Sequence, residues 1–476
     1  MFKTDKFFAA VITAALIACP GFGVRDLSAE TPEVPRKPGT VQDGKYTLAG
    51  ERIELETVRS DPSTGVALLA VPGAPELGYY SPVREGVDVF FTPLMLNAPH
   101  RELTLTERQL LHDILEAESS IDFAIYGLNR DSLVRALRQA AERGVEIRIV
   151  GNEGEVNPRY VAAFEQFENY ENIAVSYTNP SGLMHNKFLV IDRETVWTGT
   201  QNMTDTGFTM NVNQFFRIRS AELAAVFRRE FDQLHAGLSR QAKEKVTPDA
   251  FLGVRGMEVR VVVSPYDDYI GVIEEAIAGA EEYLYFTIFA FSVDSIAEAM
   301  AAAADPADGR EVRIVGAYDA LFAGREWSTY RILDIEEVDG RAVDIELITR
   351  KGRGKLHLKT MSLDGETVIT GSTNWSAAGA VRNDELMLVI RCGNFAAAYN
   401  LYFQKIYRKY TGRELPEREA SIGGKPPAYP PEADACKSGR PGDISSGIFP
   451  PISGPISGLA FKKTLCYFRA GISSSG

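Results

Sequence analysis

Histidine is scarce in this chain, five residues in 476, and cysteine is scarcer still, at four. Cys19, Cys392, Cys436 and Cys466 form neither a CxxC pair nor a Cys/His ligand spacing, which argues against a zinc module and against a dense disulfide framework. Positive charge is also in deficit, with 51 Lys and Arg against 64 Asp and Glu and a net charge of −13. Proteins that coat nucleic acid usually carry a basic surface, so that class is disfavoured, though a local basic groove is not. Apolar runs long enough to span a bilayer comfortably are missing as well. What remains is 45% hydrophobic and 24% charged, the composition of a globular protein with room for two ordinary domains and a large core.

The first residues carry Lys3 and Lys6 and then "FFAAVITAALIAC", a basic region followed by a short apolar run. This reads as an export signal over residues 1–19. The stretch "LIAC", ending at Cys19, resembles a bacterial lipobox, in which the cysteine is lipidated; ordinary cleavage is the alternative. Either way the protein is expected outside the cytoplasm, as a periplasmic, membrane-anchored or secreted bacterial protein. Residues 20–40 read as a polar linker. Residues 41–85 read as short strands with turns added at a sheet edge. Residues 415–476 are rich in Gly, Pro and Ser and are expected to be disordered.

Between these ends the chain repeats itself. Residues 119–151 and 282–316 share one pattern: an apolar strand, an Asp at an expected helix N-cap (Asp131, Asp294), an Ala-rich amphipathic helix, and a buried strand reading "VEIRIVG" or "EVRIVG". Upstream helices near 106–117 and 269–280 also correspond. The repeats span about 86–245 and 255–412. Strand–helix–strand units imply an α/β fold with a mainly parallel sheet flanked by helices in each repeat.

A shorter pattern sits inside both copies. His185, Lys187, Asp192, Gly199, Thr200 and Asn202 recur at identical offsets as His357, Lys359, Asp364, Gly371, Ser372 and Asn374. Two of the five histidines open these motifs. In a strand, residues two apart share a face, so each His projects with its Lys. "DRET" and "DGET" read as hairpin turns that return the Gly-Thr/Ser-x-Asn end to the His-Lys end. One repeat then offers an imidazole, an ammonium and a carboxamide, and a pseudo-twofold pairing doubles the set. Such a set suits phosphoryl chemistry without metal or cofactor. Lys and Asn hold the non-bridging oxygens, one His attacks phosphorus, and the other protonates the departing alcohol.

The doubled pattern resembles the phospholipase D superfamily, over roughly residues 86–412. That resemblance implies two α/β repeats packed as a pseudo-dimer around one site within a monomer. It implies His185 as nucleophile and His357 as general acid, with Lys187, Lys359, Asn202 and Asn374 on the phosphate. Asp192 and Asp364 are implied to be structural. Relatives often carry an acidic residue farther on that orients the histidine of the opposite repeat. The count from His357 reaches Glu385, and the same count from His185 reaches Asn213. Crossed pairing sets Glu385 behind His185 and Asn213 behind His357, with Gln214 or Arg217 as alternatives to Asn213.

The leading expectation is an exported phospholipase D-type hydrolase that acts on phospholipid head groups at a membrane surface. A metal-independent nuclease of the same superfamily, a cardiolipin synthase-like phosphatidyl transferase and an inactive lipid-binding scaffold are the alternatives. His100, His112 and His235 read as solvated or capping residues. "RKGRGK" (350–355) reads as a loop that guides an anionic substrate or is merely solvated. "PYDDYIG" (265–271) and "REWSTYR" (325–331) are candidate aromatic rims, and "YNLYFQKIYRKY" (399–410) is a packing helix.

Overall fold

The structure, a computed structural model, describes residues 45–94, 102–153, 157–179 and 181–416. The expected signal with Cys19, the linker, His100 and the tail from 417 onward lie outside the described residues.

Each repeat builds one sheet with seven strands in matching order. In the first repeat these are Val87–Phe91, Gln214–Arg219, Thr195–Gly199, Lys187–Ile191, Ser120–Ile125, Glu146–Asn152 and Ile173–Thr178. In the second they are Met257–Ser264, Glu385–Arg391, Thr367–Gly371, Lys359–Leu363, Tyr283–Ile288, Arg313–Asp319 and Ile345–Arg350. Three antiparallel strands, Glu56–Ser60, Ala67–Ala70 and Tyr79–Arg84, extend the first sheet at its edge.

The two-repeat α/β fold is as the sequence implied, but the sheets are mixed rather than mainly parallel. Parallel pairing is confined to the last three strands named in each sheet, which the helical crossovers join. The motif strands are joined by tight turns, and a hairpin can only pair antiparallel. A second correction concerns Asp131 and Asp294. Each is the first helical residue of its helix, Asp131–Glu142 and Asp294–Ala304; the cap positions are Arg130 and Val293, without a side-chain cap bond. The carboxylates still sit at the positive end of the helix dipole.

Gly199 and Gly371 end equivalent strands with φ of 152° each. A Cβ at Gly199 would lie 2.5 Å from the Gln214 carbonyl oxygen, and one at Gly371 still closer to that of Leu386. Only glycine lets the neighbouring strand approach this far.

The repeats share a core. Phe188 and Phe216 of the first pack in one buried cluster with Leu358 and Leu388 of the second. The helix Gly393–Thr411 completes it: Tyr402 stacks on Phe91 at 4.2 Å and Phe403 on Tyr285 at 5.1 Å. Stacking of this kind adds to the area the rings bury. The aromatic run is therefore a packing helix wedged between the sheets.

Candidate active site

The motif histidines sit just before the strands that begin at Lys187 and Lys359, and the opposite repeat holds their backbone. The His185 amide donates to the Asp384 carbonyl at 2.9 Å, and the His357 amide to that of Val212 at 2.9 Å. The return bonds run from Asp384 N–H to Leu183 (2.8 Å) and from Val212 N–H to Lys355 (2.7 Å). These short parallel bridges are related by the pseudo-twofold. They bring both imidazoles to the junction between the repeats.

Each ring is oriented across the same junction. His185 Nδ1 lies 2.8 Å from Glu385 Oε2, and His357 Nδ1 lies 2.9 Å from Asn213 Oδ1. Asn213 Nδ2 donates to the Gly207 carbonyl and its Oδ1 accepts from Thr200. That leaves Oδ1 as an acceptor toward His357, so His357 carries its proton on Nδ1. Glu385 likewise accepts from Ser372 Oγ at 2.7 Å and from Asn383 Nδ2 at 3.1 Å. In both rings Nε2 is the nitrogen left for a ligand. Arg217, an alternative to Asn213, instead pairs with Asp88 and Asp113. Gln214 donates to Thr370 Oγ1 at 2.7 Å.

The lysines follow the same symmetry. Lys187 Nζ donates to the His185 carbonyl, and Lys359 Nζ to that of His357 at 2.7 Å. Both are 1% exposed. Burial pushes Lys187 down to about 7, against the opposing pull of Glu385. Burial, and after it Lys187, holds Lys359 well below its ordinary value. Burial also lowers His185 to about 4, opposed by Glu385, and holds His357 well below 6.5 with its cationic neighbours adding to the effect. Burial thus makes all four groups resist charging. Asn202 and Asn374 are half-buried, each with an Oδ1 that has no hydrogen-bond partner among the described residues.

Asp192 and Asp364 stand apart from the pocket and tie the hairpins down. Asp192 accepts from the backbone N–H groups of Glu118, Ser119 and Ser120, which together with the Ser119 hydroxyl pull its carboxyl below the ordinary value despite partial burial. Asp364 accepts from Glu281, Glu282 and Tyr283, each at 2.8 Å.

Several neighbours of the site escaped the sequence reading. Tyr126 packs edge-on against His185 at 5.1 Å between centroids, and Phe289 lies 5.0 Å from His357. They occupy equivalent places in "IYG" and "IFA", a correspondence visible in the aligned repeats. Lys355, the last residue of the basic loop, sits 5.0 Å over the Phe289 ring. Beneath Glu385, the Asp384 carboxylate binds Lys243 at 2.8 Å and Asn179 at 2.7 Å. Lys243 also meets Glu230, so this buried network braces the segment that carries Glu385. The first repeat has Val212 at that place and no such brace.

Of the two candidate rims, 265–271 is not one. Tyr266 binds Glu230, and Tyr269 reaches the Ser376 carbonyl at 2.8 Å from behind the motif. In 325–331, Trp327 is exposed and packs on Phe322. His112 lies in the last turn of the helix Leu105–Leu115, and His235 stacks on Phe231.

The family model described as "Cardiolipin synthase, PLD-like domain" matches residues 110–235 and 273–407, more than half of the chain. The mouse mitochondrial cardiolipin hydrolase is 26% identical over 194 residues, 40% of this chain and 79% of that protein. A phospholipase D of Rickettsia felis is 30% identical over 115 residues, 24% of this chain and 56% of that protein. Against the human cardiolipin hydrolase the match spans 52% of that protein's length. Among solved structures, phosphatidylserine synthase of Haemophilus influenzae shares 15% identity over 63% of this chain and 84% of that one, with a TM-score of 0.48. NucT from Helicobacter pylori shares 22% over 32% and 98%, with a TM-score of 0.29. With its doubled motif, its crossed half-sites and a family match in both repeats, the chain belongs to the phospholipase D superfamily.

Proposed function

We propose that this phosphodiesterase hydrolyses the head-group bond of phospholipids through a covalent phosphohistidine on His185. The observation that carries the reading is the unequal orientation of the two rings, carboxylate behind His185 and amide behind His357. Attack by His185 Nε2 forms a P–N bond and leaves a cationic imidazole, which a carboxylate on Nδ1–H stabilises. An amide gives no such support to a cationic ring, so His357 releases its proton readily. That proton goes to the alkoxide as the P–O bond breaks. His357 then takes a proton from water, the hydroxide attacks phosphorus, and His185 departs as neutral imidazole.

Substrate charge resolves an apparent conflict. A general acid must be protonated, yet His357 is held well below 6.5 in the free site. A bound phosphodiester brings a negative charge between four nitrogenous groups and reverses that bias. Lys187, Lys359, Asn202 and Asn374 then hold its non-bridging oxygens. The chain itself supplies these donors, so the reading requires no metal.

The phospholipid choice draws support from relatives named cardiolipin hydrolase and phospholipase D. Export, proposed with it, rests on the signal-like residues 1–19. The test offers phosphatidylcholine vesicles and plasmid DNA to the purified protein with EDTA present. His185→Ala and His357→Ala should each lower choline release by about a thousandfold or more, the scale of lost nucleophilic or acid catalysis. Choline release that needs added metal would overturn the mechanism. Plasmid cleavage lost in both variants, with lipid untouched, would identify a nuclease.

A further inference from the structure

Isolated exposed hydrophobic residues are ordinary on a protein surface. Leu321 and Trp327 are not isolated. They are 54% and 45% exposed and lie on the segment 320–333, the first part of the crossover between strands Arg313–Asp319 and Ile345–Arg350. An aromatic path connects Trp327 to the site, and Leu321 precedes Phe322, a ring of that path, in the chain. Trp327 packs on Phe322 at 5.3 Å, Phe322 meets Phe289 edge-on at 4.5 Å, and Phe289 meets His357 at 5.0 Å.

Cations flank the same path. Lys355 lies over Phe289, and Lys351 and Arg353 are exposed beside it in the loop. The loop is shaped from within: Arg350, 2% exposed, donates to the Gly354 carbonyl at 2.6 Å. Its entrance is pinned by the Lys355 amide on Asn211 Oδ1 at 3.0 Å. Between Leu321 and Trp327 the charged residues are Arg325 and Glu326, which cancel. The loop therefore supplies a net positive edge on a chain whose net charge is −13. The corresponding path of the first repeat is phenolic, Tyr126 against Tyr160 at 6.4 Å. Exposed Trp and Leu beside Lys and Arg form the composition that partitions into an anionic lipid–water interface.

We propose that residues 320–333 are an interfacial anchor: Leu321 and Trp327 enter the surface of an anionic phospholipid bilayer, while Lys351, Arg353 and Lys355 meet its head groups. The mouth of the pocket is thereby set against the membrane. The anchor deepens the phospholipid reading of the site and rests on it for its purpose.

The three tryptophans make the anchor measurable. Trp197 and Trp375 are buried, so a change in emission on binding reports Trp327. The full chain is mixed with vesicles of phosphatidylcholine and phosphatidylserine that carry brominated acyl chains. Emission should shift to the blue and be quenched, and Trp327→Phe should lose the quenching. Leu321→Asp should weaken vesicle co-sedimentation by about tenfold or more, the scale of one large apolar side chain kept from lipid. Because both residues are exposed, the variants should keep the wild-type unfolding midpoint, which is measured alongside. Bound vesicles with unquenched Trp327, or no vesicle binding, would overturn the anchor. Quenching by a single-stranded oligonucleotide in place of vesicles would also overturn it. Quenching by vesicles whose lipids stay uncleaved would uphold the anchor and reject the phospholipid substrate, so the two failures are distinguishable.

Discussion

At the scale of single residues, the site is defined by groups held away from their ordinary charge. Lys187 is the most accessible to experiment, because burial sets it at about 7. Below that pH it is a cation and binds an anion; above it, binding must first recruit a proton. Sulfate keeps its own charge across this range, so its competitive inhibition isolates the protein's titration. The inhibition constant should be nearly flat below pH 7 and weaken by about tenfold per unit above it, as for one proton taken up on binding. Lys187→Met should bind sulfate weakly and without that slope; an unchanged slope would assign the titration to another group. These residues were legible in the sequence because two copies share every offset. Tyr126 and Phe289 were not, since aromatic residues at the end of an apolar strand look like core until the fold sets them against an imidazole. The Lys243 brace was equally hidden, as nothing local marks a linker lysine as the partner of an aspartate 141 positions away.

At the scale of elements, the hairpin that presents each Lys depends on an aspartate far from the chemistry. Asp192 has φ of 51° and Asp364 has 52°, a conformation that costs energy for a residue other than glycine. Three backbone N–H groups on each carboxylate offset that cost. Asp192→Ala removes these acceptors and keeps the strained backbone, so it should lower unfolding stability by about 1–3 kcal/mol in urea titration. Because the folded state depresses the Asp192 pKa, its contribution is full above the ordinary carboxyl range. It is lost as pH falls through the folded value, and the alanine variant should lack that acid-side decline. The hairpins themselves were readable from "DRET" and "DGET". The balance of parallel and antiparallel strands was not, because a buried strand shows the same apolar run in either pairing.

At the scale of the whole molecule, two repeats make one site. Neither sheet supplies a complete orienting pair, since Glu385 serves His185 and Asn213 serves His357. Rapid quench of a phosphorus-labelled substrate into alkaline denaturant, which spares the acid-labile P–N bond, should therefore trap at most one labelled phosphorus per chain, on His185. Two groups per chain, or label on His357, would reject the assignment. The pseudo-dimeric arrangement was anticipated from the repeats, yet the shared core around the helix Gly393–Thr411 could not be, because it depends on which faces meet.

The same broken symmetry has a consequence for the products. A diester presented to two identical half-sites could lie in either of two poses related by a half-turn, a degeneracy of only about 0.4 kcal/mol. The degeneracy would nevertheless scramble which ester bond is cut. A carboxylate on one side and an amide on the other, with the Tyr126 phenol beside one imidazole and the Phe289 ring beside the other, make the poses unequal. Regiochemistry, the choice of which alcohol is expelled and which stays esterified, is then written into the differences between the two halves.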